Sequence, residues 1–160
     1  VHRCWDEGRE TEDIGELKAT IEALEPTHLI LQYNFSFLPL PLLEALLQFC
    51  MQKKIVLYLF LHATDDVVTE TYTDSLRSIA ATLNQVDRIY VHRVEDMNRL
   101  KKFGIYERTC LFRHGIDDTL YKRASLTGND MPMLATFGFL LPQKGIFEMV
   151  DLAQRLHARQ

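Results

Sequence analysis

Apolar positions follow two different spacings that alternate along the chain. In residues 12–24, 41–52, 69–83 and 93–103 they recur every three or four positions, which predicts amphipathic helices. Residues 28–33, 55–61, 86–91 and 109–112 are short runs that predict strands, and the run 28–33 lacks polar alternation, which predicts burial on both faces. Strict alternation of strands and helices predicts an α/β fold, a parallel Rossmann-like sheet with helices on both faces.

A change of pattern follows residue 118. Residues 119–131 have no apolar period and are rich in turn-forming residues, so they are predicted to be a linker after a first domain, residues 1–118. Residues 132–160 add one more unit, a strand at 133–138 and a helix at 145–157. A lone strand and helix cannot bury their own faces, so this unit either joins the first sheet or begins a second, truncated domain.

Composition narrows the class of protein. Of 160 residues, 47% are apolar and 25% charged, with a formal net charge of -4, so neither disorder nor a nucleic-acid partner is expected. Three widely spaced cysteines predict free thiols in a reducing, cytoplasmic environment. Six scattered histidines show no zinc-ligand spacing, and no metal site is predicted. The mildly cationic residues 93–123 allow weak contact with an anionic membrane surface, but a solvated face is the favoured interpretation.

Polar side chains follow each of the first four predicted strands. Gln32 and Asn34 follow the first, His62 the second, His92 the third and His114 the fourth. Since ligands of open parallel sheets bind beyond the carboxyl ends of the strands, these residues are candidates for a binding site. Each also has a structural interpretation: Gln32 and Asn34 as turn formers, His62 as a partner of a loop carbonyl, and His114 as part of a tight turn.

The loop between the fifth predicted strand and its helix has the features of a phosphate site. Gly138 ends the strand, and Phe139 leads into a loop that closes with Lys144 and Gly145 at the predicted helix start. Free backbone N–H groups and an ammonium at that position suit a phosphate, although an ordinary strand-to-helix loop with one lysine is the alternative. The chain has no GxGxxG motif and no Walker lysine motif.

Four segments in this order resemble the family-4 glycosyltransferases of the GT-B fold. They are 28–34, a strand ending in a Gln-aromatic pair; 55–64, a strand ending in a histidine loop; 87–117, a helix and a His-Gly-hydrophobic-Asp loop; and 137–145, the strand-loop-helix of the nucleotide-sugar domain. Many relatives carry Arg where this chain has Phe139, and the family's Glu-rich donor motif would lie beyond residue 160.

The resemblance implies a retaining glycosyltransferase, of which this chain is a partial GT-B fold. Its expected substrates are a nucleotide-sugar donor and a glycan or lipid-linked acceptor, with no further cofactor and no metal. It implies a catalytic role for His62 beside the reacting sugar, donor contacts from Gly138, Phe139, Lys144 and Gly145, and acceptor or cleft positions for Gln32, Asn34 and His114. Because the active site of this fold lies between two domains, the chain alone is expected to be inactive.

Two other classes of function stay open. A non-catalytic Rossmann-like binding or regulatory module would explain Phe139 as the mark of a lost diphosphate site. A hydrolase or reductase on the same architecture would need a nucleophile elbow or a dinucleotide fingerprint, and the chain has neither.

Overall fold

The structure is a computed structural model that describes residues 4, 13–115 and 145–158. The chain divides into two compact units, Val1–Ile116 and Asp117–Gln160, and each is described by itself. The predicted linker at 119–131 and the predicted strand at 133–138 lie outside the described residues.

The first unit alternates strands and helices, as the hydrophobic pattern predicts. Its elements are α1 (Gly15–Leu24), β1 (His28–Tyr33), α2 (Leu40–Gln52), β2 (Val56–Leu61), β3 (Val67–Val68), β4 (Thr73–Asp74), a 3₁₀ turn (Leu76–Ile79), α3 (Ala80–Leu83), β5 (Arg88–Val91), α4 (Val94–Lys102) and β6 (Thr109–Leu111). Helix α2 contains Pro41 in its first turn, where the missing N–H costs no hydrogen bond.

Four of the strands form one parallel sheet in the order β1-β2-β5-β6. The register pairs Tyr33 with Leu61, and Leu61 in turn with Val91, so the carboxyl ends of three strands are level with one another. This parallel sheet flanked by helices confirms the predicted α/β, Rossmann-like class.

The hydrophobic core lies against one face of this sheet. Every second residue of β2 is buried there, namely Leu57, Leu59 and Leu61. Helix α2 contributes Leu43, Leu46, Leu47 and Cys50 to the same core, and burial raises the pKa of the Cys50 thiol to about 11. The thiol of Cys50 therefore stays protonated and inert at neutral pH.

The opposite face of the sheet is aromatic and partly open. Ile30 in β1 is 62% exposed, so the predicted burial of residues 28–33 on both faces is wrong. The physical reason is the position of β1 at the edge of the four-stranded sheet, where its outer side lacks a neighbouring strand among the described residues. A run of apolar residues does not report which strand lies at an edge.

The predicted helix at 69–83 is also wrong over its first half. Residues 67–74 form a short antiparallel hairpin, β3 paired with β4. The Thr69 hydroxyl accepts a hydrogen bond from the backbone N–H of Tyr72 at 3.1 Å, a local bond that competes with helix formation. Helical structure starts only after Ser75, whose side chain accepts a hydrogen bond from Arg77 N–H.

Gly104 terminates α4, as predicted, in a Schellman motif. Its φ is +80°, its N–H donates to Lys101 O at 3.0 Å, and the N–H of Ile105 donates to Leu100 O at 2.9 Å. The buried side chains of Ile105 and Leu100 belong to the core, so this turn fixes where α4 leads into β6.

We expect Gly104→Ala to lower the free energy of unfolding by about 1 kcal/mol, because an L-residue in this left-handed conformation is strained. A Cβ at this position would meet no atom within 4 Å, so the cost is conformational and not steric. Urea unfolding of the two proteins measures it. An unchanged midpoint and slope would contradict the assignment of strain to this turn.

The described part of the second unit is one amphipathic helix, α5 (Ile146–His157). It begins after Gly145, whose φ is +65°, and it confirms the helix predicted at 145–157. Among the described residues, no helix combines the length and apolarity needed to cross a bilayer.

Candidate functional site

Three histidines meet at the carboxyl edge of the parallel sheet. His62 and His92 each follow directly after their strands, β2 and β5, and His114 lies three residues beyond β6. The ring centroids of His62 and His92 are 4.9 Å apart, and those of His92 and His114 are stacked at 3.6 Å. Parallel register brings these rings together although 30 and 22 residues separate them along the chain.

One hydrogen bond each fixes which ring nitrogen of His62 and of His92 carries the proton. His62 Nε2–H donates to Gln32 Oε1 at 2.6 Å, which leaves Nδ1 with a free lone pair. His92 Nδ1–H donates to the backbone carbonyl of Phe112 at 2.7 Å, which leaves the lone pair on Nε2. Both rings are therefore oriented by acceptors outside the cluster.

The environment of His62 favours the neutral imidazole. Partial desolvation by its neighbours lowers the pKa of His62 below its ordinary value of 6.5, and the charges of His92 and His114 lower it further. At neutral pH His62 is thus a neutral ring that donates through one nitrogen and can accept through the other.

A row of aromatic rings lies next to the histidines on the same face of the sheet. Phe60 and Tyr90 are stacked with their centroids 4.5 Å apart, and Phe112 packs edge-on against Phe60 at 5.5 Å. These residues precede His62, His92 and His114 by two positions, so strand alternation puts both rows on the same face. The open aromatic face of the sheet therefore ends in the histidine cluster.

A buried polar network anchors the loop after His62 to helix α4. Thr64 is fully buried and donates its hydroxyl to Asp96 Oδ1 at 2.7 Å, while Asp96 is only 2% exposed. Asp96 also accepts hydrogen bonds from Arg93 at 3.1 Å and Arg99 at 3.3 Å, and Arg99 forms a further ion pair with Asp65. This network holds the loop that carries His62 at the start of α4.

The Asp96 carboxylate stays ionised in this network. Burial alone would raise the pKa of Asp96, but hydrogen bonds from Arg93 and Thr64 and the charges of Arg93 and Arg99 hold it below its ordinary value of 3.8. A lowered pKa in the folded state means that the folded protein binds the proton less readily than the unfolded chain.

The stability due to Asp96 is expected to disappear in acid. This stability is fully present above pH 3.8, the ordinary pKa of the group. It is lost as the pH falls through the lower pKa of the folded state, because protonation removes the negative charge that pairs with the two arginines. Urea unfolding of the wild type and Asp96→Asn at about pH 7 and about pH 3 tests this through the difference between the two proteins. A difference of the same size at both pH values would contradict it.

The structure brings together three of the described candidates. Gln32 and His114 join His62 at one site, whereas Asn34 forms a turn, its side-chain oxygen accepting the backbone N–H of Ser36 at 3.3 Å. Gly145 lies at the start of α5 in the other unit. Gly138, Phe139 and Lys144, the remaining predicted donor-binding residues, lie outside the described residues.

His92 is the member of the cluster that received no specific role in the sequence analysis. The signal that reveals it is positional, since His62 and His92 are each the first residue after a strand in the same parallel sheet. Asp96 was missed for a different reason, because a carboxylate in the first turn of a helix is usually a solvated residue.

A pocket lies at the amino ends of the strands, opposite the histidine cluster. It has a volume of about 690 Å³ and is lined by residues at the amino ends of β1 and β2, including His28 and Val56. None of the candidate residues lines it. The histidine cluster, where ligands of parallel sheets bind, is therefore the better candidate.

Comparison of the chain with protein-family models, curated proteins and solved structures gave no match. Function is therefore inferred from the residues, from their geometry and from the resemblance of the four sequence segments.

Proposed function

We propose that this chain is part of a cytoplasmic, retaining glycosyltransferase that transfers a sugar from a nucleotide-sugar donor to a glycan or lipid-linked acceptor. The observation that carries the proposal is the position of His62 beyond the carboxyl end of β2, hydrogen-bonded to Gln32 and beside His114. These are three of the residues that the resemblance assigns to the catalytic and acceptor side of the cleft.

The chemistry of His62 suits the assigned role. Its Nε2–H is held by Gln32, and its Nδ1 lone pair can accept a hydrogen bond from a sugar hydroxyl. Because its pKa is lowered, the ring is neutral at neutral pH and keeps this acceptor. Gly138, Phe139, Lys144 and Gly145 would hold the donor diphosphate, and that part of the proposal depends on the resemblance alone.

Removal of the imidazole is expected to slow the reaction. In the full-length protein, His62→Ala should lower turnover of a nucleotide sugar by about tenfold or more, the scale of a lost hydrogen bond in the transition state. Release of nucleoside diphosphate from a panel of nucleotide sugars, measured in the presence of a mixture of glycan and lipid-linked acceptors, gives the turnover. The matched control is His28→Ala, a histidine at the amino end of β1 that should leave turnover unchanged.

The outcome separates the proposed enzyme from a binding module. If the full-length protein binds nucleoside diphosphates but transfers no sugar from any donor, the non-catalytic Rossmann-like module is the better function. Transfer that is equally fast in His62→Ala would remove His62 from the catalytic site.

A further inference from the structure

We propose that His62, His92 and His114 form a binding site for a divalent transition-metal ion. One ring nitrogen of each histidine lies within 4.8 Å of those of the other two. Three imidazoles without a carboxylate are a donor set that suits Zn²⁺ and its neighbours in the first transition row, and not Mg²⁺ or Ca²⁺.

The hydrogen bonds of two of the rings match those of metal-bound histidines. Ligating histidines usually donate the second ring N–H to a carbonyl or carboxylate oxygen, which fixes the tautomer and the ring orientation. His92 does so to the Phe112 carbonyl, and His62 does so to Gln32. The ligand atoms are then His92 Nε2 and His62 Nδ1.

A second, independent observation concerns His92 Nε2. Within residues 4, 13–115 and 145–158, it is the one buried side-chain nitrogen or oxygen without a hydrogen-bond partner. A buried acceptor without a partner destabilises the folded state, so an unpaired lone pair at this position needs an explanation. A bound cation would use it.

The three ring nitrogens must move closer together to bind one ion. In a tetrahedral zinc site with Zn–N bonds of about 2.0–2.1 Å, ligating nitrogens are about 3.3 Å apart, so a separation at the 4.8 Å limit must shrink by about 1.5 Å. His62 and His114 are exposed, so their rings can turn without disturbing the core, and the stacked rings of His92 and His114 separate as the site closes. Three protein ligands leave a fourth position open to water or to an oxygen of a bound molecule.

This site does not depend on the proposed function, but it uses one of the same atoms. Nδ1 of His62 cannot accept a sugar hydroxyl and bind a metal at the same time, so Zn²⁺ would inhibit transfer if both proposals hold. Binding is measured without any activity, and the two proposals can therefore fail separately.

The test is a titration of the metal-free chain with Zn²⁺ by calorimetry. We expect about one Zn²⁺ per chain with a Kd below about 1 μM, that is, a binding free energy beyond about -8 kcal/mol. His114→Ala should raise the Kd by more than about 100-fold, and Gln32→Ala, which removes an outer partner, by about tenfold. Since His114 is exposed, its substitution should not unfold the chain, which circular dichroism checks.

Three controls test which side chains bind the ion and which ion is bound. The double variant His28→Ala/His157→Ala, which removes two histidines outside the cluster, should bind Zn²⁺ as the wild type does, and Mg²⁺ should not bind. Co²⁺ should give a spectrum without a sulfur-to-cobalt charge-transfer band, because Cys4, Cys50 and Cys110 are not among the ligands.

The proposal fails if Zn²⁺ binds the wild type with a Kd above about 1 μM, if His114→Ala binds it as tightly as the wild type, or if the cobalt spectrum shows thiolate ligation. An unchanged affinity in Gln32→Ala would overturn Nδ1 as the ligand atom of His62.

Discussion

Asp96→Ala is expected to lower the free energy of unfolding by about 3 kcal/mol, the low end of the cost of breaking a buried ion pair. The carboxylate is 2% exposed and accepts hydrogen bonds from Thr64, Arg93 and Arg99. Its removal leaves the buried Thr64 hydroxyl and the largely buried Arg99 guanidinium without this acceptor. We take the low end of the energy range for buried ion pairs because the Arg93 side chain is mostly exposed, and water can replace the Asp96 carboxylate as its hydrogen-bond acceptor.

A neighbouring acid provides the matched control. Glu95 lies in the same first turn of α4 but is exposed, so Glu95→Ala removes the same charge from the helix N-terminus without touching the network. We expect it to change stability by no more than about 0.5 kcal/mol. Urea unfolding of the three proteins at neutral pH compares them. Equal effects of the two substitutions would mean that Asp96 acts through the helix dipole and not through Thr64 and Arg99.

Elements with local signals were predictable from the sequence. Helix α4 has apolar residues at a spacing of three and a glycine at its end, and the structure has the helix and its Schellman turn at those positions. The segment at 69–83 failed because its first half contains three threonines, and their preference for local hydrogen bonds and extended backbone outweighs a diluted apolar period.

The candidate site was predictable in part, because residues that follow parallel strands converge but the register between those strands has no local signal. The rule that polar residues after parallel strands converge was sufficient to select Gln32, His62 and His114. It could not show that the three histidine rings lie against one another, because that depends on the register between β2, β5 and β6, which no local pattern encodes. The same limit applies to Asp96, whose burial depends on Thr64, 32 residues away in the chain.

Leu59→Ala is expected to lower the free energy of unfolding by about 2–5 kcal/mol, the range for a leucine truncated in a close-packed core. Leu59 lies in the middle of β2, between Leu31 and Ile89 of the adjacent strands, and it is completely buried. The cavity that alanine leaves is bounded by the sheet and by the core side chains of α2, so neighbouring atoms can only partly refill it. Urea unfolding, with the slope checked for a two-state transition, gives the value.

Ile30→Ala tests the asymmetry of the two faces of the sheet. Ile30 is an aliphatic residue of the neighbouring strand β1, but it points to the aromatic face and is 62% exposed. Little of its side chain is removed from water on folding, so the substitution should cost less than about 1 kcal/mol, most of it through strand propensity. If Ile30→Ala destabilised the protein as much as Leu59→Ala, the aromatic face would be buried in solution, and the burial of β1 on both faces that its apolar run predicts would be right.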